Sequence, residues 1–257
     1  MSAWAGVNSH LTGAVRTWCR ERHGRPAVWT LGTAGLIAYN WWVLALLKPG
    51  LVRSPDEMFS NLEAIGQPYA TAMRATDIAA AVAMLGAFAI AGRGDPAGGR
   101  REWLGLVAFA LAGLMGGIFP EVCADSISRS CMSAELAFRL PASQYLHDGA
   151  GIAEFTAISL TVLLAWRRTR GSTGLPARTY RLVLAGLIAG YPVLGLAYLT
   201  DRFDGVVEAL FLTAFSAAVL AQLAERAPAM RAPRGPRAPG TGARGRTAVA
   251  TRRRGSA

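Results

Sequence analysis

The sequence predicts an all-α polytopic membrane protein, a bundle of six transmembrane helices with both termini in the cytoplasm. Three observations point there. Hydrophobic residues make up 52% of the 257-residue chain and charged ones only 17%, where a soluble domain carries about a quarter. The mean hydropathy is positive, at +0.29. The apolar residues also come in long runs, as a hydrocarbon core of ~30 Å demands of helices rising ~1.5 Å per residue.

Residues 1–26 form a basic N-terminal segment. In it Leu11, Val15 and Trp18 recur at helical spacing among arginines, the pattern of a short helix lying on the inner leaflet. Six apolar segments follow, Ala27–Leu47, Thr76–Ala91, Trp103–Phe119, Gly149–Trp166, Tyr180–Tyr198 and Val206–Leu223, within a transmembrane domain over 27–224. The first is too long for the apolar core of a cleavable signal, and no small-x-small site precedes Lys48, so it reads as a retained helix.

Orientation follows from the basic residues. With the N-terminus inside, 21 of the 27 Lys and Arg fall in cytoplasmic pieces and 6 in outer ones. Trp29, Trp103, Trp166 and Tyr180 then sit at inner ends, and Trp41, Trp42 and Tyr198 at outer ends, as aromatic belts require. The net charge of +11 belongs largely to one place. From Arg226 onward there are nine arginines and no acid, leaving eighteen of the 27 bases to set against sixteen acids. Residues 225–257 are rich in Arg, Pro and Gly and lack apolar groups to bury, so a disordered cytoplasmic tail is expected, touching anionic inner-leaflet headgroups. No aromatic residues are interleaved for base stacking, so nucleic acid is not an expected partner. The expected partners are membrane lipids, with a membrane protein as a further candidate, and the expected location is the cell membrane.

Two outer loops are long. In the first, Ser54-Pro55-Asp56-Glu57 has the form of a helix start, with Ser54 as N-cap, Pro55 in the first turn and Glu57 closing a capping box. Met58, Leu62 and Ile65 would make its apolar stripe and Gly66 would end it, predicting a short amphipathic helix over the bundle. The second loop holds Cys123 and Cys131, which predicts a disulfide on an oxidising side. A zinc site is not expected, since His147 is the one nearby histidine and the spacing fits no zinc pattern. No cofactor is implied.

Ionisable residues within apolar segments are costly and therefore candidates for function. They cluster towards the outer ends: Asp77 in the second segment, Asp148 and Glu154 in the fourth and Glu208 in the sixth, with Asn40 near the end of the first. For Asp77, Asp148 and Glu208, capping of a helix N-terminus is the competing reading. Glu154 lies too deep for that. His147, Gly151, Glu154, Ile158 and Thr161 share one helical face, expected to turn inward, with Glu154 on the floor of an outward-facing pocket and Ile158 closing it below. A carboxylate at that depth finds a partner or takes up a proton. Gly186 and Gly190 stand at the spacing of close helix approach, followed by Tyr191, a further pocket candidate, and the kink-forming Pro192.

The stretches Ile118-Phe119-Pro120 with Cys123 and Cys131, Tyr145-Leu146-His147-Asp148-Gly149-Ala150-Gly151-Ile152-Ala153-Glu154-Phe155, and Tyr39-Asn40-Trp41-Trp42 resemble a six-pass bacterial membrane family. That family is frequent in actinobacteria and catalogued as domain of unknown function 998. The resemblance spans about Ala27 to Leu223 and implies the fold without an activity. A more distant comparison is with membrane hydrolases that include alkaline ceramidases. They use several histidines around zinc, and His147 alone on the outer side cannot supply such a site. The expectation is a non-enzymatic multi-pass protein whose outward-facing polar pocket takes a small molecule, a lipid headgroup or a partner. The alternatives are a proton-coupled carrier and a metal-independent intramembrane hydrolase.

Overall fold

The structure is a computed structural model describing residues 26–48, 50–92, 99–200 and 202–229, with side chains through Arg226. The interfacial helix expected around Leu11, Val15 and Trp18, and the tail beyond residue 229, lie outside the described residues.

Among the described residues the chain is helix and turn without strands. Helix α1 spans residues 26–39 and α2 Trp42–Leu47. Then come α3 Ala70–Gly92, α4 Arg100–Ile118, α5 Arg129–Leu136, α6 Ala142–Arg168, α7 Leu175–Thr200 and α8 Asp204–Ala229. Five of these, α3, α4, α6, α7 and α8, are long and apolar enough to cross a bilayer, which makes the chain a multi-pass membrane protein. Their outer surface agrees: Val82, Leu111, Ile152, Ile188 and Leu210 stand exposed, as lipid-facing side chains do.

The first apolar segment departs from a single helix. It tightens at Asn40–Trp41, where the Trp41 N–H donates to Ala38 O (3.2 Å) instead of continuing the α pattern. The Asn40 amide donates to Leu36 O (2.7 Å), so a side chain competes with the backbone for its own carbonyls. Helices α3 and α6 start earlier than hydropathy predicts, at Ala70 and Ala142. Their opening turns carry polar residues, Thr71 and Arg74 in α3 and Ser143 and Gln144 in α6, so a lipid-transfer scale undercounts them.

Helix α4 packs on α6 and α3, and α7 on α8. Helix α1 approaches α3 closely: a Cβ at Gly35 would lie 2.8 Å from Met84 Cγ. The core at mid-bundle is aromatic, with Phe155 edge-on to Phe215 at 4.8 Å and Tyr39 edge-on to Phe109 at 5.6 Å. Gly190 packs on the Phe211 ring while Gly186 meets open space, so only one of the two glycines serves a close approach. Pro192 lies inside an uninterrupted α7.

The amphipathic helix expected over 54–66 does not form. Ser54 Oγ accepts from Asp56 N (3.1 Å), and Glu57 accepts from Arg53 N (2.7 Å) rather than closing a capping box on Ser54. Only a 3₁₀ turn, Ser60–Glu63, follows. Asn61, Leu62 and Glu63 are all buried and Ile65 is exposed, so the connection folds into the bundle instead of lying on it. The cysteines pair as expected, Cys123 with Cys131 at a Cα–Cα distance of 6.0 Å.

At the opposite end of the bundle a charged cluster ties four helices. Glu102 on α4, 3% exposed, receives a two-pronged contact from Arg168 on α6, Nε to Oε1 at 2.8 Å and Nη2 to Oε2 at 3.0 Å. Arg168 also reaches Glu225 on α8 (2.7 Å), whose carboxylate accepts from Tyr180 Oη on α7 (2.8 Å). Gln222 donates to Glu102 at 3.1 Å.

Candidate acid-lined cavity

Between the ends of α1, α3, α4, α6 and α8, under the two long connections, lies a cavity of about 250 Å³. Seven carboxylic acids line it: Glu63, Asp77, Glu121, Asp125, Asp148, Glu154 and Glu208. Among the described residues His147 is the only basic one in the lining, which holds none of their Lys or Arg. Tyr39, Trp41, Phe59, Phe109 and Phe155 supply aromatic walls.

Each acid is placed by its own element. Asp77, two turns into α3, accepts from Trp41 Nε1 at 2.7 Å, so the turn that interrupts the first segment serves to aim an indole across the cavity. Glu208 on α8 accepts the backbone N–H of Phe59 and of Ser60 (3.2 Å), capping the 3₁₀ turn from another helix. Asp148 accepts from Gln144 one turn earlier on α6 (3.4 Å), and Gln144 also holds Val122 N (2.7 Å) in the second connection. None of the three caps its own helix, which corrects the capping reading. Helices α3 and α6 begin too early for that, and Glu208 turns to a neighbour.

His147 donates from Nδ1 to Gly116 O and Phe119 O, both at 3.1 Å, at the C-terminal end of α4. With two acceptors facing it, Nδ1 carries the hydrogen. Glu154 lies over α4: a Cβ at Gly113 would be 3.5 Å from its Oε1. Beside it is the buried Tyr39 hydroxyl, within hydrogen-bonding reach of the Glu154 carboxyl. Asn61 staples the two connections together. Its amide nitrogen donates to Glu121 Oε1 (2.8 Å) and Asp125 Oδ1 (2.9 Å), and its oxygen accepts from Ser126 N (2.9 Å). The second Glu121 oxygen, Oε2, is buried and has no partner.

Burial governs the acids of the connections. It pushes Glu121 up to about 9, with Asp125 and Asp148 adding repulsion. Glu63 is held well above the usual carboxylate range by burial and then by Asp77, so it keeps its proton beside that neighbour. Glu135, outside the lining and less buried, rises to about 7, again through desolvation.

Of the residues singled out in the sequence, Asp77, His147, Asp148, Glu154 and Glu208 converge on this cavity. Asn40 and Tyr191 do not. Asn40 donates to Ser216 on α8 (2.9 Å), and the Tyr191 hydroxyl pairs with Ser159 (2.7 Å) on the exposed α6–α7 seam. Ile158 is fully buried in the core and the cavity ends above it on Phe109, Phe155 and Met84. Sequence reasoning missed Tyr39, Glu63, Glu121 and Asp125. The available signal was an excess of acids in the connections, with Asp56, Glu57, Glu63, Glu121, Asp125 and Glu135 against Lys48, Arg53, Arg129 and Arg139.

Among the described residues no three His, Cys, Asp or Glu gather as a metal ion requires. Over residues 16–225 the chain matches a family model described as "Protein of unknown function (DUF998)". No curated protein and no solved structure matches it.

Proposed function

Because the chain belongs to the DUF998 family, whose description assigns no activity, its role has to be read from its own site, and we propose a small-molecule binding protein of the cell membrane. On this reading α1 and α2 together make a sixth span, both termini face the cytoplasm, and the cavity opens at the extracytoplasmic end. The observation that carries the reading is the acid-lined cavity itself: helices α1, α3, α6 and α8 and the two connections each place a polar side chain around one space. Burying so many carboxyl groups is unfavourable unless something occupies or uses the space.

Glu154→Gln tests it, because the amide keeps the shape and removes the carboxyl group. Native mass spectrometry of the purified protein should show a bound small molecule on the wild type that is lost from Glu154→Gln at unchanged melting temperature. Identical adducts on both proteins would sink the reading.

Sidedness is checked separately. A membrane-impermeant maleimide added to intact cells should label Cys123 only after reduction of its bridge to Cys131, and should miss Cys19 throughout. The same reduction should cost about 2.5 kcal/mol of stability, the loop-closure value for a short bridge. Labelling of Cys19 from outside would reverse the orientation.

The Glu63–Asp77 carboxyl pair supports a second reading, a proton-coupled carrier, in which that pair hands a proton across as the ligand moves. Flux in proteoliposomes driven by a pH gradient, and abolished in Asp77→Asn, would be its signature.

A further inference from the structure

We propose that the ligand of this cavity is a small primary amine, bound as its ammonium ion. This rests on the small-molecule reading above and adds the chemical class.

Charge is the first argument. Among the described residues seven acids and no Lys or Arg line the space, so a cation is the ligand whose charge the walls complement. The second argument is independent of the acid count. A buried polar atom of the lining, Glu121 Oε2, has no hydrogen-bond partner, and Glu121 is only 3% exposed. Orphaned buried oxygens are rare and costly, and they mark where a donor is missing. A primary ammonium brings three N–H donors on one atom. A quaternary ammonium brings the charge but no donor, and would leave Glu121 Oε2 unsatisfied.

Size and wall chemistry narrow the class. About 250 Å³ holds about eight waters at ~30 Å³ each, so the ligand has on the order of ten non-hydrogen atoms. The lower walls, Met84, Phe109, Ala110 and Phe155, are apolar and suit a short hydrocarbon portion. The Tyr39 and Trp41 rings also belong to the lining, and aromatic rings attract cations.

Protons take part. Glu121 is held up to about 9 and faces Asn61, Asp125, Asp148, Glu208 and Glu135, none of which is a cation. Binding an ammonium favours its carboxylate, so a proton leaves as the amine enters. Affinity therefore rises with pH up to about 9, by at most tenfold per unit for each proton released. An alkyl amine stays charged over that range, since its pKa is about 10.

The experiment measures melting of the purified full-length protein with n-butylammonium, its neutral isostere n-butanol, or tetramethylammonium. Butylammonium should stabilise the wild type, more at pH 8.5 than at pH 6.5, and butanol should not. Glu121→Gln, which keeps the Asn61 contact, should weaken butylammonium at least tenfold and flatten the pH dependence. Equal stabilisation by butanol, lost in Glu154→Gln, would leave the binding pocket standing and overturn the cation. Tetramethylammonium matching or exceeding butylammonium would overturn the primary amine. No response to any of the three, with no adduct on the wild type, would remove both the inference and the reading beneath it.

Discussion

Arg168→Met is expected to destabilise the bundle by about 3 kcal/mol, because it strips the buried Glu102 carboxylate of its two-pronged partner. Glu102 is 3% exposed and its closest remaining cation, Arg226, stands 4.0 Å away. The cost should therefore come mostly from the buried carboxylate and little from the lost attraction. The double variant Arg168→Met with Glu102→Gln separates the two, and should recover at least half of the loss. Arg168→Lys should not rescue, since an ammonium cannot make the paired Nε and Nη2 contacts. Chemical unfolding in detergent reads all three. A double variant no more stable than Arg168→Met alone would show that the cluster is not held by charge.

Gly117→Val is expected to separate α3 from α4 and cost about 2–3 kcal/mol. An added Cβ there would lie 2.8 Å from Ile78 Cγ1 and 3.1 Å from the Arg74 carbonyl oxygen, and a backbone atom cannot step aside. Asp77 rides on α3 and Glu154 lies against α4, so ligand binding should fall along with stability. Its neighbour supplies the control. Nothing lies within 4 Å of a Cβ at Gly116, and Gly116→Val should change melting by less than about 0.5 kcal/mol. Equal effects at the two positions would deny that close packing of small residues sets the α3–α4 distance.

The positions of the long helices were readable because they depend on local sums. Hydropathy over about 20 residues locates the five long apolar helices without reference to what packs on what. Glu154 was legible for a related reason. Two turns inside an apolar run it has no local partner, so a helical wheel already turns it inward. The Cys123–Cys131 bridge needed only a shared short loop.

What local sums cannot see is a partner far along the chain. Ser54-Pro55-Asp56-Glu57 has every local mark of a helix start, yet Glu208, nearly 150 residues away, binds the N–H groups of Phe59 and Ser60 and holds a 3₁₀ turn instead. Asp77 reads locally as a cap, yet Trp41 donates to it across the cavity, and Glu121 and Asp125 are held there by Asn61 from the other connection. The sequence by itself determined a multi-pass membrane bundle, because the transfer of apolar area out of water is summed along each helix regardless of neighbours. Only the tertiary structure decided which acids share one cavity, because hydrogen bonds between distant elements are directional and specific to the pair.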